Sequence, residues 1–86
     1  MSRWKTVEKK LKQQSKDITF SDITTLLLHY GYVMDNGGRT SGSRVRFISA
    51  DHADILIHRP HPQKELKGYV IRDLFDIVEQ EGLWSE

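Results

Sequence analysis

The spacing of the apolar residues changes twice along this chain, and the double change limits the fold more than any other feature. Trp4, Val7 and Leu11 recur at helical intervals, a thin stripe on a basic amphipathic helix expected over residues 3–14. The Ser15–Phe20 stretch reads as polar and breaks it. Ile23, Leu26, Leu27 and Tyr30 then mark a second helix, with Thr19 or Ser21 as its cap, Asp22 in its first turn and Gly31 where a left-handed terminator belongs. After Gly31 the period becomes two. Tyr32-Val33-Met34, Arg44-Val45-Arg46-Phe47-Ile48 and Ile55-Leu56-Ile57 read as three strands. Asn36-Gly37-Gly38 supplies a turn after the first, and Pro60 with Pro62 ends the third. From about Lys67 the helical period returns through Val70, Ile71, Leu74, Phe75, Ile77 and Val78, until Gly82 stops it.

Helix, helix, three strands, helix describes an α+β fold. The three strands form a meander that buries one face under the second and last helices. Val45, Phe47, Ile55, Ile57, Leu27, Leu74 and Phe75 are the expected core, and Leu83-Trp84 is expected to fold back onto it. Eighty-six residues allow one such core and no more. With no cysteine, neither a disulfide framework nor a thiolate metal site is available, and the core alone must hold the fold. No apolar run is long enough to span a bilayer, and the charged start does not read as a signal peptide. A cytoplasmic protein with no membrane partner is the expectation.

The net charge of +1 conceals a segregated layout. Arg3, Lys5, Lys9, Lys10, Lys12 and Lys16 face only Glu8 in the N-terminal segment, while Arg39, Arg44 and Arg46 form a second basic cluster. Arg59, Lys64, Lys67 and Arg72 form a third against Glu65, and Asp73, Asp76, Glu79, Glu81 and Glu86 leave the C-terminal segment acidic. Such clusters suit a binder of phosphate backbones, and equally a set of solvated faces.

Two segments could carry chemistry. In Arg39-Thr40-Ser41-Gly42-Ser43-Arg44, glycine-turn amides, a serine hydroxyl and an outward arginine are groups that grip phosphate. The same pattern also fits a plain hairpin with solubilising arginines. In His58-Arg59-Pro60-His61-Pro62, two histidines beside an arginine stand on a stiff strand end. Histidine exchanges protons near neutral pH, so either could serve in RNA cleavage. A metal site is not expected, since His58 and His61 lack a third convergent ligand. His29 and His52 have ready structural explanations, the former as a partner of a helix C-terminus.

Taken together, Leu26-Leu27 running into Tyr30-Gly31-Tyr32, Gly42-Ser43 opening a strand, the His58–Pro62 motif, Lys64-Glu65-Leu66-Lys67, Ile71 with Leu74, and Glu81-Gly82-Leu83 resemble the HicA family of bacterial toxins. That resemblance covers about residues 20–84. It implies the α-β-β-β-α fold of double-stranded-RNA-binding domains, carried on residues 19–86, with residues 1–18 as a detachable basic helical extension. It also implies an mRNA interferase that cleaves without metal or other cofactor and is neutralised by a HicB-like antitoxin. The family reads Gly-Ser-His where this chain reads Gly42-Ser43-Arg44, and that histidine is the family's catalytic residue. Arginine keeps its proton, so Arg44 cannot be the base but can stabilise charge on a phosphorane-like transition state. The expected catalytic residues are Arg44, His58 and His61. RNA contact is expected from Arg39, Ser41, Gly42, Ser43, Arg44, Arg46, Arg59, Lys64 and Lys67. A binding module that grips RNA or the antitoxin without cleaving stays open beside the enzyme.

Overall fold

The protein is described from a computed structural model, which covers residues 2–35, 44–58 and 64–85, with Arg44 described by its backbone. Three helices and three strands follow in the order α1 (Arg3–Lys12), α2 (Phe20–His29), β1 (Val33–Asp35), β2 (Arg44–Ile48), β3 (Ile55–His58) and α3 (Gly68–Glu81). The strands form one antiparallel sheet in sequence order, β1-β2-β3.

Strand alternation sets the two faces of this sheet. Phe47 lies opposite Met34 on one side and Ile55 on the other, and Val45 lies opposite Ile57. Val45, Phe47, Ile55 and Ile57 are buried with Ile23, Leu26 and Leu27 of α2 and Ile71, Leu74 and Val78 of α3. The alternate positions Arg46, Leu56 and His58 are exposed. One sheet face is thus covered by helices and the other is open, a two-layer α+β sandwich consistent with the double-stranded-RNA-binding type of fold.

Local chemistry starts and stops the helices where the pattern predicts. Thr19 caps α2 reciprocally: its hydroxyl accepts from the Asp22 N–H, and the Asp22 carboxylate accepts from the Thr19 N–H. Gly31 ends α2 at φ +98°, which lets the Tyr32 N–H reach back to the Leu27 carbonyl at 3.0 Å. Gly82 ends α3 in the same left-handed region, at φ +65°. The equivalent position after α1 is Gln14, at φ +51°, where the Ser15 N–H bonds back to the Lys10 carbonyl at 2.9 Å.

Three features depart from the sequence reading. The Ser15–Phe20 stretch is not merely a polar break, because Ile18 and Phe20 are buried and Phe20, the first residue of α2, packs against Phe47. Isolated apolar residues in a polar stretch carry no period to reveal them. Phe75 is only half-buried; the returning tail sets Trp84 edge-on against it, with ring centroids 5.5 Å apart. Helix α1, expected to be detachable, places Val7 and Leu11 at 2% and 1% exposure in the common core. Glu8 on α1 is buried, and its Oε2 accepts from the Tyr30 hydroxyl at 2.6 Å and the Ser85 N–H at 2.9 Å. Burial works against the Glu8 charge, but these hydrogen bonds and the Lys12 ammonium outweigh it and hold the carboxyl below the usual glutamate range. The Tyr30 hydroxyl moves the other way, raised by burial and by the carboxylate it serves.

Candidate nucleic-acid interface

Cross-strand register orders the open sheet face into rows. Position 44 is the direct partner of His58, so the backbone sets Arg44 across from the first histidine of the His58–Pro62 motif. The next row is Asp35, Arg46 and Leu56, followed by Val33 opposite Ile48. His58 is exposed at the end of β3, which is an edge of the sheet.

Arg46 is held within this face. Its Nε lies 3.4 Å from Asp54 Oδ2 and its Nη1 lies 3.9 Å from Asp35 Oδ2. The side chain is about half exposed, so these pairs contribute little to stability. They do balance its charge locally, and a phosphate at Arg46 has two carboxylates to displace.

Three lysines meet at the entry to α3. The chain leading into that helix runs beside the α1–α2 connector: Thr19 bridges Glu65, and the Leu66 N–H donates to the Ile18 carbonyl at 2.8 Å. This crossing brings Lys16 beside Lys64 and Lys67 around one depression. A second depression adjoins it, lined by Leu66, Tyr69 and Val70 with His58, Lys64 and Lys67 at its border. From there a groove runs between β3 and α3, past Leu56, Ile57, Asp73 and Ile77. A continuous path therefore leads from the edge strand at His58 to three lysines.

The structure brings together Arg44 and His58 by register, and His58, Lys64 and Lys67 around the depression. Arg46 lies in the next row, paired with Asp35 and Asp54. Arg39, Ser41, Gly42, Ser43, Arg59 and His61 lie outside the described residues, as does the Asn36-Gly37-Gly38 turn. Sequence reasoning missed Lys16 and Tyr69. The sequence groups Lys16 with the α1 lysines, and only the crossing at Thr19 and Glu65 reveals its neighbours. Tyr69 did leave a signal, an aromatic residue just off the Val70-Ile71-Leu74 stripe. The two remaining histidines are structural. His29 stacks on Trp4 with centroids 3.5 Å apart and bonds the Ser85 hydroxyl, while His52 Nδ1 meets Glu81 Oε1 at 2.9 Å. Among the described residues no cluster of three metal-ligating side chains forms, and no helix is long and apolar enough to cross a membrane.

The α+β sandwich thus leaves one sheet face open, bordered by a histidine edge and a lysine cluster. A sequence model of the HicA toxin of bacterial toxin–antitoxin systems matches residues 20–82. The chain belongs to the HicA toxin family. Comparison with curated proteins and with solved structures finds no significant match. The family segment runs from the first residue of α2 to the glycine that ends α3; α1 and the C-terminal tail lie outside it yet share its core.

Proposed function

We propose that the protein is a cytoplasmic mRNA-cleaving toxin, held inactive by a HicB-like antitoxin. The observation that carries this reading is the β2–β3 register, which pairs the backbone of Arg44 with that of His58 at one end of the sheet. The chemistry suited to that pair is transfer within the RNA strand. The ribose 2′-oxygen attacks the neighbouring phosphorus, the P–O5′ bond breaks, and the products are a 2′,3′-cyclic phosphate and a 5′-hydroxyl. A base must take the 2′-hydroxyl proton and an acid must give one to O5′. His58 and His61 divide these two roles, and Arg44 compensates the charge that builds on the phosphoryl oxygens. No step requires a metal.

Induced expression with and without the adjacent antitoxin gene, scored for growth and mRNA integrity, tests the reading. Growth arrest with RNA cleavage should follow the toxin alone, and His58→Ala should abolish both while the protein stays folded. Purified protein should generate cyclic phosphate ends in EDTA. Arg44→His restores the family residue and should keep or raise activity. If wild type and Arg44→His both leave RNA intact, the domain binds without cutting.

A further inference from the structure

Tyr69 is the feature that RNA cleavage alone does not explain. It stands at 59% exposure in the first turn of α3, on a helix whose Ile71, Leu74 and Val78 are buried. Tyr69 lines a depression with Leu66 and Val70, and His58, Lys64, Glu65 and Lys67 line the same depression. Lys16 joins Lys64 and Lys67 on the far side. Among the described residues, Glu65 is the one carboxylate lining either depression. A ligand matching this surface has a flat apolar face, an anionic group on each side, and enough polarity to live in water. A nucleotide within a single strand meets all three conditions, since every base has a π-face and every linkage a charge.

We propose that the depression at Tyr69 is a nucleobase subsite, in which the phenol ring stacks on a base one or two nucleotides from the scissile phosphate. Lys16, Lys64 and Lys67 hold the phosphates beyond that base. The arrangement gives the strand a direction, with the reacting linkage at the Arg44–His58 rung, then a stacked base, then a basic exit. The inference rests on the RNA-cleaving reading above and adds to it a single-stranded substrate and a residue that sets its register.

The test uses the full chain and short single-stranded RNA carrying 2′-O-methyl groups throughout, which removes the attacking hydroxyl and leaves binding alone. A set of such strands, each lacking one base at a successive position, is titrated against wild type, Tyr69→Ala and Tyr69→Trp by fluorescence anisotropy. Stacking on an aromatic side chain is worth about 1–3 kcal/mol per base, so Tyr69→Ala should weaken binding to the complete strand about 5- to 150-fold. Tyr69→Trp should restore it. At one position, base removal should weaken wild type by a similar factor and leave Tyr69→Ala unchanged, because base and ring then form one interaction. Thermal midpoints of both variants should match wild type, since the side chain is exposed. If Tyr69→Ala binds within twofold of wild type, or if the losses add at every position, the subsite is refuted while RNA binding stands. If wild type binds none of the strands, the RNA-cleaving reading itself falls, a result separate from either of those.

Discussion

Replacing Leu11 by alanine decides whether α1 is an appendage or part of the domain. Leu11 is 1% exposed and shares a core with Ile18, Phe47 and Val78. Truncating a leucine so enclosed costs about 2–5 kcal/mol, the transfer free energy of the lost carbons plus the cavity they leave. A domain of this length has about 4–13 kcal/mol in total, so the variant should fold with a thin margin. At about 4–8 °C per kcal/mol for a domain of this size, the thermal midpoint should fall by about 8–40 °C. Lys9→Ala, on the exposed side of the same helix, is the control and should change stability by no more than about 0.5 kcal/mol. The assay is thermal unfolding by far-ultraviolet circular dichroism, repeated in urea to check that the slope is unchanged. If α1 were detachable, Leu11→Ala would melt one helix and leave the main transition where it was. A midpoint within about 4 °C of wild type would refute the argument.

Two further outcomes follow from the same packing. Glu8→Gln keeps an oxygen for Tyr30 and Ser85 but removes the charge, and should cost about 1 kcal/mol at neutral pH, the difference between charged and neutral hydrogen bonds. Because the folded carboxyl titrates below its unfolded value, this contribution is complete above the usual glutamate range and disappears as pH falls through and below it. Wild type and variant should therefore converge in acid, and parallel melting curves across pH 3–7 would contradict the assignment. Gln14→Gly places the residue best suited to φ +51° at the end of α1 and should raise the thermal midpoint by a few degrees, from relief of up to about 1 kcal/mol of backbone strain; a lowered midpoint would count against that strain.

Periodicity made much of this fold legible. The alternation of Val45 and Phe47 with Arg44 and Arg46 identified the buried sheet face, and the spacing of Ile71, Leu74 and Val78 identified the side of α3 that covers it. Thr19, Gly31 and Gly82 marked helix ends because each residue type solves a backbone problem there. Features made by contact between distant segments were not legible. Nothing within Arg44–Ile48 says that Asp35 and Asp54 will flank Arg46, because strand register depends on both neighbours. The stripe of α1 gave no hint that Ser85 would return to Glu8. The candidate site was readable in its residue types at His58, Lys64 and Lys67, while its shape depended on Thr19 bridging Glu65, a pairing across more than half the chain.

The helix termini provide a comparison within the molecule that bears on the RNA reading. A helix is stabilised by acids in its first turn and bases in its last, by about 0.3–1 kcal/mol each. Helix α2 follows this rule, with Asp22 at its start and His29 at its end. Helix α1 follows half of it, with Lys9, Lys10 and Lys12 in the last turn. Helix α3 follows neither half: its first turn holds no acid, its N-cap is Lys67, and its last turn holds no base. Its acids at the far end are used in tertiary contacts instead, Glu81 with His52 and Glu79 with the Trp84 indole. A carboxylate in the first turn would favour the helix and repel a phosphate chain lying past Tyr69 and Lys67. Helix α1 also lacks a first-turn acid, but α3 alone lacks a last-turn base as well, and α3 is the helix that starts at the basic depression.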